Sequence, residues 1–363
     1  MATLVHIKTS GATESVPLAI DGARFVDADS VEINDEIATG GLFALPGLAD
    51  CHTHLAQNSI NDIDVTAGAI EENIVQNAWA QLEGGVLLCL DKGSRDDVSL
   101  RILEAPPERR PELQMAPRII AAPGGYYQGF AVEVDDEGLA DAVAAAAGPH
   151  GWIKIVGDWP RRGEGPRANF TETALRKAVG IAHDAGCRVA IHTMAPQAAS
   201  IAVASGVDSI EHGLFMTEAD IEALATRRGA WVPTIERVLT LITFLGRDSS
   251  GGKLLSAGLD NVRSLLPFAT GLGVAVLAGS DLAVPHGRVA AEVLRLIEYG
   301  ASVADAVSAA SAAAYNYAGV DRGLTPGHRA DAVFYSADPM DRPETLLEPA
   351  AVLRMGRWVK DIT

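Results

Sequence analysis

The sequence has little positive charge and no long basic run. Its 29 Lys and Arg residues are outnumbered by 47 Asp and Glu residues, which leaves a net charge of -18. Because nucleic acids and anionic membrane surfaces are bound through clustered basic side chains, this balance argues against both as partners. We expect a small-molecule substrate instead, and the sequence leaves open whether copies of the chain form a homo-oligomer.

The sequence also lacks long hydrophobic runs and paired cysteines. No apolar stretch reaches the length of about 20 residues that spans a bilayer, and the first residues lack the basic segment and apolar core of a secretory signal. The three cysteines, Cys51, Cys89 and Cys187, show no metal-binding spacing and lie in apolar runs, so we expect reduced core residues. These features predict a cytoplasmic protein.

Alternating apolar and amphipathic segments predict an α/β fold. From residue 42 onward, helices separate eight expected strands, at 42–51, 86–90, 118–122, 152–156, 188–192, 209–211, 231–233 and 274–278. Eight such units predict a (β/α)8 TIM barrel. An open doubly wound sheet is the alternative, but it would be expected to carry a glycine-rich turn after its first strand, where this chain has His-Thr-His.

Short β-prone runs occupy both ends of the chain. Segments 4–8, 16–20, 24–26 and 30–33 predict a small antiparallel sheet, and residues 332–335 and 352–353 return to β-prone sequence. We expect residues 1–44 and 325–363 to form one small β-sandwich domain beside a catalytic barrel of residues 45–324. Helices are expected at 70–81, 138–147, 171–185, 195–204, 217–227, 260–269, 288–298 and 301–318, with N-caps at Thr171 and Thr217.

Side chains that bind metals stand where the predicted strands end. His52 and His54 are two residues apart on the first strand, so they share one face. Any one such residue has an ordinary alternative, such as a core histidine or, for Asp281, the N-cap of a short helix. Because barrel strands end at a common face, we nevertheless expect one metal site built from His52, His54, Lys154, His192, His212 and Asp281.

Lys154 is unusual because it lies inside an apolar strand. An unpaired ammonium there would be costly, and burial would lower its pKa. A neutral amine can react with carbon dioxide, and the resulting carbamate would be an anionic ligand able to bridge two divalent cations. The alternative is a lysine paired with a nearby acid such as Asp158.

Several motifs resemble, in order and spacing, those of the amidohydrolase superfamily, especially its prolidase-like and imidazolonepropionase-related branch. They are residues 45–54, Ile153-Lys154, residues 210–213, residues 278–281 and residues 326–332, so the resemblance covers nearly the whole chain. It implies a binuclear centre, usually zinc, with one ion on His52, His54 and Asp281 and the other on His192 and His212. Carboxylated Lys154 and a hydroxide would bridge the ions.

Two departures limit what the resemblance implies. His192 is followed by Thr193-Met194-Ala195-Pro196, without the Glu that family deaminases usually carry, which argues against deamination. The dipeptidase relatives have a glycine-rich turn after the fourth-strand lysine, whereas this chain has residues 157–162 of a different pattern. The substrate therefore cannot be copied from those relatives.

A binuclear site favours hydrolysis. Two ions sharing a water lower its pKa, and Asp281 would orient the hydroxide, take its proton and pass it to the departing nitrogen. The sequence therefore predicts a metal-dependent hydrolase of an amide or other C–N bond. A lactonase or phosphotriesterase on the same site is the alternative; a deaminase or a non-catalytic assembly protein fits the sequence less well.

Substrate contacts are expected from the loops after the third, fourth and eighth strands. An arginine between aromatic walls would suit a carboxylate with an apolar body, as in an N-acyl amino acid or a dipeptide. Arg161 and Arg162 also have a plain alternative as solvated loop charges. The candidates are Tyr126, Tyr127, Trp159, Arg161, Arg162 and His286.

Overall fold

The computed structural model describes residues 2–39, 41–59, 67–161 and 165–361. The strands are Ala2–Ile7 (β1), Val16–Asp21 (β2), Arg24–Asp27 (β3), Ile33–Ile37 (β4), Phe43–Leu45 (β5), Leu48–Thr53 (β6), Val86–Asp91 (β7), Glu112–Met115 (β8), Ile119–Ala121 (β9), Val132–Glu133 (β10), Trp152–Val156 (β11), Asp158–Arg161 (β12), Gly165–Ala168 (β13), Arg188–Thr193 (β14), Ser209–His212 (β15), Ala230–Val232 (β16), Ala275–Val276 (β17), Ala332–Tyr335 (β18), Ala351–Arg354 (β19) and Arg357–Lys360 (β20). The helices are Ala67–Glu83 (α1), Leu139–Ala146 (α2), Glu172–Asp184 (α3), Ala198–Ala204 (α4), Glu218–Thr226 (α5), Ile235–Leu245 (α6), Ser250–Gly271 (α7), Ala290–Glu298 (α8), Val303–Ala309 (α9) and Ala312–Ala318 (α10).

Two parallel sheets form the interior of the protein. One contains β6, β7 and β8, and the other has the order β10-β9-β11-β14-β15-β16-β17. Helices separate most successive strands, and the strands consist almost wholly of buried residues, as expected where both faces of a parallel sheet are covered. The predicted α/β fold is confirmed. Among the described residues, however, the ladders form these two sheets and no closed barrel.

The break between the sheets lies at Pro117. The predicted third strand, 118–122, covers only β9, whereas the chain also forms β8 just before the proline. Since proline lacks an N–H, the ladder is interrupted there: β8 pairs with β7, and β9 pairs with β11. Backbone bonds still connect the two sheets, from Met115 N to His150 O at 2.9 Å and from Cys51 N to Ala278 O at 2.8 Å.

The two chain ends form two further sheets that share one hydrophobic cluster. Their orders are β3-β2-β1-β4 and β20-β19-β18-β5, and Val5, Phe25, Phe334 and Leu353 all belong to the cluster. The N-terminal sheet is antiparallel across β1, β2 and β3, as predicted, but β4 lies at 33–37 and pairs with β1 in parallel. The predicted first strand, 42–51, is also two strands, because the chain turns at Pro46-Gly47. The proposed domain boundaries stay a prediction.

Most predicted helices are present, and Thr171 and Thr217 cap α3 and α5 as expected. Helix α6, the first half of α7 and the hairpin β12–β13 were not predicted, and α9 and α10 were predicted as one helix. The three cysteines are free and buried. Among the described residues, each helix is too short or too polar to cross a membrane.

Candidate metal centre and substrate cavity

The parallel strands bring the six predicted metal-binding side chains to one place. His52 belongs to β6, Lys154 to β11, His192 to β14 and His212 to β15, while His54 and Asp281 follow β6 and β17. All six are buried, and all six line the same cavity. A backbone bond of 2.8 Å from Asp281 N to His52 O fixes the last ligand beside the first strand.

Three of these residues form a compact group of potential ligands. A ring nitrogen of His52, one of His54 and a carboxylate oxygen of Asp281 all lie within 4.8 Å of one another. The two Nε2 atoms are 3.5 and 3.6 Å from Asp281 Oδ1. His54 Nδ1 donates to the carbonyl of Gly93 at 2.8 Å, which leaves its Nε2 lone pair directed at the group. This donor set suits a divalent cation.

A second pair of histidines lies beside the first group. His192 Nδ1 and His212 Nε2 are 2.9 Å apart, and His212 Nε2 is 3.9 Å from Asp281 Oδ2. The other ring nitrogen of His212 contacts the hydroxyl of Thr234. Lys154 Nζ lies 3.4 Å from His52 Nε2. Asp281 therefore adjoins both potential ligand groups, and Lys154 adjoins the first.

The protonation states also suit cation binding. Burial lowers the pKa of His52 to about 4 and that of Lys154 to about 8, and it places the pKa values of His192 and His212 well below the usual range. Burial alone would raise the pKa of Asp281, but the adjoining His52 ring and the positive charge of Arg237 hold it well below its usual range. At neutral pH the rings are neutral and the carboxylate is charged, which are the forms that bind metals.

A buried ion pair behind His52 was missed by the sequence analysis. Glu211 Oε2 lies 2.6 Å from His52 Nδ1, and Glu211 Oε1 lies 3.2 Å from Lys92 Nζ. Ser209 also donates to Oε1 at 2.6 Å. Both charged residues are fully buried. The signal was present in the sequence, because Glu211 interrupts an apolar strand and Lys92 follows another, and neither charge has an evident local partner.

The backbone is strained at three points around the centre. His212, Thr234 and Asp281 have φ values of 65°, 47° and 42°, in the left-handed region that residues other than glycine rarely adopt. Such strain persists only where surrounding contacts enforce it, and it is concentrated at functional sites. Glycine is needed at Gly279 for a different reason, since a Cβ there would lie 2.6 Å from His52 Cβ.

The centre forms the floor of a cavity of about 290 Å³. Three predicted substrate contacts, Tyr126, Tyr127 and Trp159, line it. Arg237, which was not predicted, also lines it, and its Nε lies 3.6 Å from Asp281 Oδ2. Arg237 was not predicted as a substrate contact because it belongs to α6, a helix that was not predicted either.

Arg161 and His286, also predicted as substrate contacts, lie outside this cavity. Arg161 is not among the cavity-lining residues and donates to Asn169 Oδ1 at 3.1 Å, because the β12–β13 hairpin directs its side chain to that loop. His286 bonds the carbonyl of Gln57 at 2.8 Å and lines a different cavity. Arg162 lies outside the described residues. Asp158, the alternative partner of Lys154, instead accepts the N–H groups of residues 194 and 195, and burial raises its pKa to about 7.

Comparison with known proteins agrees with this geometry. The profile of the amidohydrolase family matches residues 43–359, which is most of the chain. The chain belongs to the amidohydrolase family. An uncharacterised protein of Mycobacterium tuberculosis is 31% identical over 374 aligned positions, which cover 98% of this chain and 96% of that protein. An uncharacterised protein of Mycobacterium bovis matches equally well.

Solved structures share the fold. A Xaa-Pro dipeptidase with methionine in its active site has a TM-score of 0.81 at 22% identity, over 99% of this chain and 100% of that one. Ochratoxinase of A. niger has a TM-score of 0.80 at 17% identity, over 99% of this chain and 95% of that one. The resemblance to the amidohydrolase superfamily is thus confirmed, and family membership indicates a hydrolase.

Proposed function

We propose that this amidohydrolase family member cleaves an amide or other C–N bond of a small molecule with the help of two divalent ions, zinc being the expected metal. The observation that carries this proposal is the convergence of His52, His54 and Asp281 with the His192–His212 pair. These four histidines and one aspartate are all buried in one cavity, and imidazole and carboxylate groups are the ligands that zinc binds.

Each ligand group has a proposed role. His52, His54 and Asp281 would hold one ion, His192 and His212 would hold the other, and Lys154 would bridge them as a carbamate. When bound, the ions would supply an acidified water and polarise the scissile carbonyl. Asp281 would accept the proton of that water and return it to the departing nitrogen, since its carboxylate is charged at neutral pH.

The proposed catalytic domain is a (β/α)8 barrel. The backbone bonds between Met115 and His150 and between Cys51 and Ala278 support this description, because they join the three-stranded parallel sheet to the seven-stranded one on both of its sides. We propose that the two sheets at the chain ends, residues 1–44 and 325–363, make up one β-sandwich domain on their shared hydrophobic cluster.

Arg237 is the proposed anchor for an anionic group of the substrate. It is buried, and it is the one arginine among the described residues that line the cavity. A guanidinium here would pair with a carboxylate close to the scissile bond, as in an N-acyl amino acid or a dipeptide. This assignment takes over the role that the sequence analysis gave to Arg161 and Arg162.

Metal analysis and a substrate panel test the proposal. The purified protein should contain close to two ions per chain, lose amide hydrolysis on chelation and regain it with zinc and bicarbonate. Labelled bicarbonate should produce a carbamate signal in the NMR spectrum of the wild type and none in Lys154→Gln. Full amidase activity after chelation would refute metal dependence. Cleavage of lactones or phosphotriesters with refusal of every amide would favour the alternative hydrolase classes.

A further inference from the structure

One wall of the cavity is an apolar helix face that runs from the floor to the mouth. Arg237, Leu241, Phe244 and Leu245 of α6 all line the cavity, and their spacing of four, seven and eight residues places them on one side of the helix. Seven residues separate Arg237 from Phe244, so the wall is about 10 Å long at 1.5 Å per residue. The neighbouring α7 adds Leu254 and Leu255.

The upper end of this wall exposes large apolar side chains. Phe244 is 83% exposed and Leu245 is 45% exposed, and both remain part of the cavity lining. Other exposed hydrophobic side chains, such as Leu272 at 44%, do not line the cavity. Exposed apolar surface that continues a binding cavity is typical of a ligand contact, because only a bound molecule covers it.

A second wall of the cavity is aromatic. The ring of Trp159 lies 4.8 Å from that of Tyr126 and 4.9 Å from that of Tyr127, measured between centroids, and 5.8 Å from the ring of His192. Pro160 and Pro166 continue this wall. The α6–α7 wall and the aromatic wall are apolar, whereas the charged groups and candidate metal ligands of the described lining belong to the centre or adjoin it.

We propose that the substrate is an amphipathic N-acyl amino acid whose long acyl chain lies along α6 and covers Phe244. This inference rests on the proposed hydrolase function. A span of about 10 Å corresponds to an extended chain of about nine atoms, since three chain bonds cover about 3.3 to 3.6 Å. Hydrolysis breaks the amide C–N bond, adds the water oxygen to the acyl carbon and moves a proton to the amino nitrogen. The products are a medium- or long-chain fatty acid and an amino acid, and compact polar dipeptides are poor substrates.

The test compares N-acetyl and N-decanoyl derivatives of one amino acid, below the micellar concentration. For the wild type, kcat/KM should be roughly tenfold or more higher for the decanoyl compound, because burial of the chain and of Phe244 stabilises its complex. Phe244→Ser should reduce the ratio of the two kcat/KM values by roughly tenfold. Leu272→Ser, which removes an equally apolar exposed side chain outside the cavity, should leave the ratio unchanged. Equal kcat/KM values for both acyl lengths would overturn the inference.

A binding measurement separates this inference from the proposed function. Calorimetric titration with decanoate and with acetate requires no turnover, and decanoate should bind more tightly and lose this advantage in Phe244→Ser. If neither amide is cleaved, the proposed reaction is wrong. The binding data still show whether the apolar wall of α6 binds an acyl chain. Equal affinity for the two acids overturns the wall assignment. Light scattering measures the oligomeric state of the wild type and of Phe244→Ser. If the substitution dissociates an oligomer without changing the chain-length preference, Phe244 contacts a second copy of the chain, and the inference is wrong.

Discussion

Replacing Glu211 by Gln should expose two separate roles of one buried carboxylate. Its pKa lies well below the usual range although burial opposes this, because Lys92 and His52 both stabilise the charged form. Toward Lys92 the carboxylate is a counter-ion at 3.2 Å, and toward His52 it fixes the ring by a contact of 2.6 Å with Nδ1. The amide keeps the shape of the side chain and removes its charge.

The two losses have different sizes and different readouts. Lys92 is fully buried over the ring of Trp152, so removing its counter-ion should lower the free energy of unfolding by about 3 to 5 kcal/mol. Loss of the group that orients a metal-binding histidine should weaken metal affinity by about 10- to 100-fold. The first effect should be visible in metal-free protein, and the second in chelator competition.

The variant Lys92→Met, combined with Glu211→Gln, separates the roles. Urea unfolding of the metal-free proteins should show that the double variant recovers most of the stability lost by Glu211→Gln, because no unpaired charge remains buried. Its metal affinity should stay low, because His52 still lacks its carboxylate. Recovery of both properties would show that Glu211 serves Lys92 alone, and wild-type metal affinity in Glu211→Gln would refute its contribution to His52.

Three further predictions concern the same region. Asp281→Asn should keep much of the metal and lose turnover by orders of magnitude, so near-wild-type activity would contradict its role as proton carrier. Gly279→Ala should weaken metal binding, because its Cβ would lie 2.6 Å from that of His52, whereas Gly180→Ala, with no atom within 4 Å of the added carbon, is the control. Burial raises the pKa of Glu292 from 4.5 to about 8. Protonation of Glu292 therefore stabilises the folded state by up to about 5 kcal/mol. This contribution should be complete below pH 4.5 and should be lost as the pH rises to 8. Glu292→Gln should remove that slope in urea unfolding, and an unchanged slope would count against the assignment.

The convergence of the candidate metal ligands could be predicted because their placement follows from local rules. Alternation along β6 puts His52 and His54 on one face, and parallel strands bring their carboxyl ends together whatever the details of the ladder. The prediction therefore did not need a closed barrel, and the interruption at Pro117 did not affect it. The roles of His52, His54, Lys154, His192, His212 and Asp281 remain predictions that the metal analysis tests.

The substrate side of the cavity could not be predicted in the same way, because it depends on contacts between distant residues. Thr234 stands at the N-cap position of α6, but its backbone is left-handed and its side chain makes no capping bond. The cap of α6 comes from Glu292 of α8, which accepts the N–H of Ile235 at 2.7 Å and that of Glu236 at 3.0 Å. Because α6 was not predicted, Arg161 was predicted as a substrate-binding arginine and Arg237 was not.

Helix α6 links the two halves of the site. At its start, the hydroxyl of Thr234 contacts His212, and Arg237 lies beside Asp281; at its end, Phe244 stands at the cavity mouth. A shift of the helix start would therefore disturb the metal-side contacts and the apolar wall together, whereas removal of one side chain at the mouth acts on the wall alone. For this reason Glu292→Gln should lower kcat for short and long acyl substrates alike, while Phe244→Ser should act mainly through the KM of the long one. A purely chain-length-dependent defect in Glu292→Gln would show that the cap does not position the start of α6.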